Sequence, residues 1–233
     1  MSAKGKHKNK AQAPTVKTRY GIGEWYGRSF VRLAPEQRQE QARVQGFKKE
    51  RRPKFACPFR STPESQVLCT KAGGVCSLRR YQLDEETQGV SWPTGRENPL
   101  VTTCPHRFKQ GGFIFNWIGE TLLGCPKPLI VSEVGFLGQE SMPNGDDPGG
   151  ADAEDVGRID SVLVHPSKDP LSWAALEIQA VYFSGPSISR KFAVMARSSD
   201  QGLPFPVGIR TPDYRSSGPK RLMPQLQASV LTV

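Results

Sequence analysis

The sequence predicts an α/β fold of the α+β kind: a core of short strands and helices, a small loop-rich module holding four cysteines, and a basic N-terminal tail. Three observations predict it. Twenty prolines in 233 residues interrupt nearly every long periodic stretch, which excludes coiled coils and helical bundles. Strand-like runs recur at 129–137, 159–165 and 173–183, set among short helical patterns. Four of the five cysteines crowd between Cys57 and Cys104. An apolar content of 36% with 23 glycines is that of a folded chain, and the length suits one sizeable core.

Charge is concentrated at the N-terminus. Residues 1–60 hold 16 Lys and Arg against four acids, +12, whereas the remaining 16 bases and 18 acids give −2. Such an arm favours a polyanion, most simply nucleic acid, through phosphate contacts that release counterions. A solvated tail that aids solubility is the competing reading of residues 1–18, which offer almost nothing to bury and are expected to be disordered. No apolar run approaches the length of a membrane span, and no secretory pattern follows the lysine-rich start, so a soluble cytoplasmic protein without membrane association is expected.

Packing is expected to begin near Tyr20, where Gly23-Glu24-Trp25-Tyr26-Gly27-Arg28-Ser29-Phe30 concentrates aromatics. Pro35 opens a surface helix whose apolar face would use Ala42, Val44 and Phe47. Thr62-Pro63-Glu64 has the form of a helix start and Gly73-Gly74 of its end, which would put Cys69 in the last turns and Cys76 just past the exit. Cys57 and Cys104 each precede proline and are expected in rigid turns with inward sulfurs. In a cytosolic chain five cysteines argue against disulfides. Cys57, Cys69, Cys76 and Cys104 on short irregular connections suit a tetrahedral structural metal, zinc or iron; free buried thiols and a redox role remain as alternatives.

Farther along, Phe113, Ile114, Trp117, Ile118 and Leu122, closed by Gly124, predict a short amphipathic helix. The acidic, turn-rich stretch 141–157 is expected to be a surface loop. Strands 159–165 and 173–183 are joined by a turn at Pro166–Pro170. If 173–183 is one strand, Glu177 and Gln179 share a face, and antiparallel pairing brings Asp160 close to Glu177. Two carboxylates held that close call for a hard divalent cation between them, and magnesium suits phosphodiester hydrolysis. A Glu-x-Gln with an upstream Asp also arises by chance; its placement as the only polar pair in an apolar strand is what singles it out.

Taken together, Cys57-Pro58-Phe59, Cys69, Gly74-Val75-Cys76, Cys104-Pro105-x-Arg107 and Leu176-Glu177-Ile178-Gln179 resemble, in that order, the NotI-type restriction endonucleases. The block Gly23–Ser29 is similar to that family's aromatic entry to the fold, and Leu137-Gly138-Gln139-Glu140 to an element ahead of its catalytic aspartate; the likeness covers roughly residues 20–190.

The resemblance implies a PD-(D/E)xK restriction-endonuclease-like core with a mixed sheet and glutamine where lysine is usual. Asp160, Glu177 and the Ile178 carbonyl would bind Mg2+, Gln179 would orient the attacking water, and Glu140 would add an acid. Cys57, Cys69, Cys76 and Cys104 would hold a structural iron, while Cys125 matches nothing and reads as a buried thiol.

A type II enzyme cutting double-stranded DNA at a specific site is implied, acting as a homodimer in a bacterial cytoplasm with a possible cognate methyltransferase. The chain divides accordingly into a tail (1–18), an N-terminal region with the cysteine module (19–110), a catalytic core (111–200) and a basic C-terminal segment (201–233) read as the remnant of a longer region. The alternative is a metal-stabilised DNA-binding protein, or a truncated and inactive relative.

Overall fold

The computed structural model describes residues 16–93, 95–138, 155–198 and 202–217. Two long strands organise the N-terminal half: β1 (Val16–Trp25) pairs antiparallel with β3 (Val75–Asp84) from Val16↔Asp84 to Trp25↔Val75. β2 (Arg28–Ser29) folds back on β1 through Tyr26 and Gly27, both at positive φ as a two-residue I′ hairpin requires. Two short strands, β4 (Val90–Ser91) and β5 (Val101–Thr102), complete the sheet on β3. Residues Val16–Thr18, assigned to the tail on composition, are therefore paired in β1.

Trp25 is fully buried, stacks on Phe192 at 5.1 Å, and donates its indole N–H to the Gly73 carbonyl. Around it close Ile22, Phe30, Leu33, Val75, Leu78 and Tyr81, with Ala42 of α1 (Pro35–Gln45) and Met195 of the C-terminal helix described below. As expected α1 starts at Pro35 and buries Ala42 and Val44, but Phe47 lies beyond its end and is exposed.

No helix forms over 62–73. The Thr62 hydroxyl accepts the Ser65 N–H, so the capping chemistry closes a tight turn instead. The flanking segments pair as a minimal hairpin: Cys57 N–H donates to Val67 C=O, Cys69 N–H to Phe55 C=O, and Ala56 bridges Leu68. Cys57 and Cys104 do sit at turns, their carbonyls accepting Arg60 and Arg107 N–H respectively, and both are buried.

The second core is built on an antiparallel sheet in the order β6 (Leu129–Gly138), β7 (Asp155–Val164), β8 (Trp173–Leu176). Alternation on the central strand sends Ile159, Ser161 and Leu163 to one face, where Leu163 and Leu176 meet Phe115, Leu123 and Cys125. That cover is α2 (Phe113–Ile118), followed by a π-helical turn at Gly119–Leu123 and stopped by Gly124 at positive φ. The expected helix is thus present, but Phe113, Trp117 and Leu122 face outward while Phe115 and Leu123 are buried.

The run 173–183 is not one strand. Its second half forms β9 (Tyr182–Ser184), which pairs with β10 (Thr211–Asp213) in a separate two-stranded sheet. Between them lies α3 (Ser189–Arg197), packed on α1, and after β10 comes the short α4 (Tyr214–Ser217). Every strand pairing among the described residues is antiparallel, so the sheet expected to be mixed is not; the α+β class stands. No described helix is long and apolar enough to cross a membrane.

Candidate functional site

The pairing of β7 with β8 decides where the acids lie. Ser161 is opposite Leu176, so Asp160 and Glu177 are neighbours on the face away from α2. The contact is reciprocal: Asp160 N–H donates to Glu177 Oε1 at 3.2 Å, and Ile178 N–H donates to Asp160 Oδ2 at 2.8 Å. Burial pushes the Glu177 carboxyl above its usual range; the Asp160 N–H opposes this, and the Asp160 charge adds to it. One oxygen of each carboxylate thereby accepts a backbone N–H, and the two carboxyl groups also meet each other, a side-chain contact that raises Glu177 further.

A half-buried carboxylate whose charge is disfavoured by the acid beside it suits a hard divalent ion, and magnesium binds through one or two carboxylates while keeping several waters. The residues present fit that ion as a two-carboxylate site. No third His, Cys, Asp or Glu completes a metal-holding group among the described residues. Glu140 lies outside the described residues.

Gln179 is placed differently from expectation. β8 ends at Leu176 because Ile178 N–H is spent on Asp160, and Val181 N–H then donates to Thr102 C=O of β5. The chain crosses from the second sheet to the first over 177–181, so strand alternation does not carry Gln179 to Glu177's face. Its Nε2 donates to Ala180 C=O, and the residue lines a cavity walled by β3, the segment 178–183 and Arg210.

Two residues join the acids that spacing did not single out. His106 follows Cys104-Pro105 and lies within electrostatic reach of both Asp160 and Glu133. Burial, then Arg60 and Lys109, push its pKa down against those acids, and its buried Nδ1 has no hydrogen-bond partner among the described residues. Glu133 sits at positive φ between the pairs Ser132↔Ser161 and Val134↔Ile159, beside Asp160 on the neighbouring strand. The only signal in the sequence was that His106, one of three histidines, belongs to the Cys104 turn.

The cysteine motifs pack on one another. Arg107 Nε donates to both oxygens of buried Glu24, at 3.1 and 3.0 Å, and its guanidinium lies 5.2 Å from the Phe59 ring. Tyr26 packs on Phe55 and receives a hydrogen bond from Gln45. Cys57, Cys76 and Cys104 are buried and Cys69 is partly exposed. Cys69 feels the charges of Cys57 and Cys104; Cys76 feels Cys104 and Cys69.

Burial first, then these neighbours, push the Cys76 thiol up to about 12. The donor type and neighbourhood fit a soft metal, which would invert that preference by stabilising thiolates. The four do not converge tightly enough to count as a metal-holding group, so the metal module expected from the spacing is in this structure a cluster of thiols. Cys125 belongs to the second core, apart from them.

A family model described as restriction endonuclease NotI matches residues 41–233. That span contains all four clustered cysteines, Asp160, Glu177, Gln179 and the C-terminal segment; the Gly23–Ser29 block precedes it. No curated protein and no solved structure matches the chain.

Proposed function

The chain belongs to the NotI restriction endonuclease family, and from that premise we propose that it hydrolyses double-stranded DNA at a specific site with Mg2+ held by Asp160 and Glu177. The reciprocal backbone contacts of these two acids across β7 and β8 carry the reading. They fix both carboxylates side by side, where a bound cation would relieve their mutual contact. Magnesium bound there supplies neutralisation of the phosphate charge and a more acidic coordinated water.

The chain's own groups do the rest. Asp160 and Glu177 hold position through main-chain donors. The Ile178 carbonyl is the remaining ligand, and Gln179 orients the attacking water by turning its amide from Ala180 toward the acids. Arg60 and Lys109, within electrostatic reach of His106 beside the pair, contact phosphate, and His106, held toward its neutral form by burial, is a hydrogen-bonding group there. Glu140 serves as an auxiliary acid. Cutting both strands of a palindrome calls for two identical centres, hence a homodimer, in a cytoplasm where a cognate methyltransferase protects the host.

Cys57, Cys69, Cys76 and Cys104 hold a structural iron, with zinc the alternative ion. Their gathering beside the Arg107–Glu24 pair supports this, because such a loop-rich segment has little other burial to rely on.

Long double-stranded DNA incubated with Mg2+ is expected to yield discrete fragments, with cutting abolished in Glu177→Ala while DNA binding persists. A well-folded wild-type dimer that binds but never cuts would instead support the second reading, a DNA-binding protein stabilised by its thiol site. Metal analysis of purified protein should find about one iron or zinc per chain, lost together with stability in Cys104→Ser; a folded, metal-free sample removes the metal from the cysteines.

A further inference from the structure

The cavity that Gln179 lines has a volume of about 460 Å³, within the range of ligand pockets. Its walls are Val75 and Leu78 of β3, Thr103 and Pro105, the crossing segment 178–183, and Arg210 just before β10. Arg210 is the anomaly. Its Nε and Nη2 are buried with no hydrogen-bond partner, and it takes part in none of the four ion pairs between described residues. Burial alone pushes its pKa down, with no acid compensating. A guanidinium has five donors and cannot lose its charge, so burying it unpaired is costly unless an anion arrives.

The surroundings deepen the positive field. Lys191 of α3, 5% exposed, is within electrostatic reach of Arg210 and Arg19, and its Nζ is committed to Tyr20 C=O. Lys71 also lines the cavity, its Nζ donating to Thr103 C=O. Arg210 and Lys71 are thus the two cations on the cavity wall; burial, then Arg210 and Arg19, lowers Lys191 to about 7, so Lys191 adds only part of a charge behind Arg210.

We propose that this cavity is a phosphate-binding site in which Arg210 supplies the bidentate contact. Resting on the nuclease reading, the ligand is a phosphate of the DNA backbone next to the one being cut, since the same short segment carries Ile178 and Gln179. A guanidinium fork matches two phosphate oxygens, and the apolar walls strengthen that contact by excluding water.

The test uses the full chain without divalent metal. Inorganic phosphate, titrated against chloride at constant ionic strength, should raise the thermal midpoint of wild type and of Glu177→Ala but not of Arg210→Ala. Arg210→Lys keeps the charge without the fork and should retain a weaker response, which also guards against a variant that simply misfolds. Arg210→Ala should bind DNA about tenfold more weakly, with the log–log salt slope reduced by about one.

A phosphate response in wild type with unchanged DNA affinity of Arg210→Ala would identify the ligand as free phosphate rather than the backbone. An absent response in wild type, or an equal one in Arg210→Ala, overturns the site. Absence of cutting by wild type with the phosphate response intact would sink the nuclease reading alone.

Discussion

Glu177 illustrates how a residue can carry cost and use together. Its carboxyl is held above the usual range by burial and by Asp160, so the folded protein keeps this proton to higher pH than the unfolded chain does. The sign follows: without metal, stability declines as pH climbs from the ordinary carboxylate value through the raised one, and stays lower above it. Glu177→Gln should therefore raise the unfolding free energy at pH 7 in a chelator by on the order of 0.5 kcal/mol, the size of a solvent-screened charge interaction. That gain should fade toward pH 4, and Mg2+ should stabilise wild type but not the variant; a flat difference across pH would separate Glu177 from the repulsion. At the same scale, Asp160 and Glu177 were legible from strand period and turn position. His106 was not, because its approach to the acids depends on how the Cys104 turn packs.

Elements show why patterns were read well in kind and less well in extent. α1 and β6 formed where proline and apolar runs put them, whereas β7 begins at Asp155, inside the stretch 141–157 expected to be a loop. The 62–73 segment has a helix start but finds its hydrogen bonds in a hairpin on Phe55–Cys57, and a capping residue serves either outcome. The 173–183 run breaks because a side chain, the Asp160 carboxylate, takes the N–H that the ladder would have used.

In α2 the apolar face chosen from spacing is divided: Ile114 and Ile118 pack on the second core, while Phe113, Trp117 and Leu122 are exposed. The fully buried positions are instead Phe115, Gly119 and Leu123, spaced four apart along α2 and the π turn. Chemical denaturation should bear this out. Phe115→Ala is expected to cost about 3–5 kcal/mol, whereas Trp117→Ser should stay within about 0.5 kcal/mol. Equal losses would mean the outward face is covered in solution.

On the scale of the whole molecule, two cores are stitched by the crossing at 177–181, which links the carboxylate strand to β5 and leaves the Arg210 cavity at the seam. The basic N-terminus acts at this scale too. Residues 1–15 contribute four lysines ahead of β1. Their deletion should leave the melting transition in place and lower the salt slope of DNA binding by up to about 0.9 for each phosphate those lysines neutralise. An unchanged slope would exclude them from the interface.

Local chemistry in the chain determined its fold class, the starts of α1 and β6, the adjacency of Asp160 to Glu177 and the family to which it belongs. Each rests on periodicity, turn residues or ordered motifs, all of which act over short separations. Tertiary structure alone decided that the sheets are antiparallel, that Gln179 turns from the acids to a cavity, that His106 and Glu133 join them, and that the half-buried Arg210 has Nε and Nη2 buried without a hydrogen-bond partner among the described residues. Those outcomes depend on which backbone donors are left over when distant segments meet, and no short stretch of sequence contains that information.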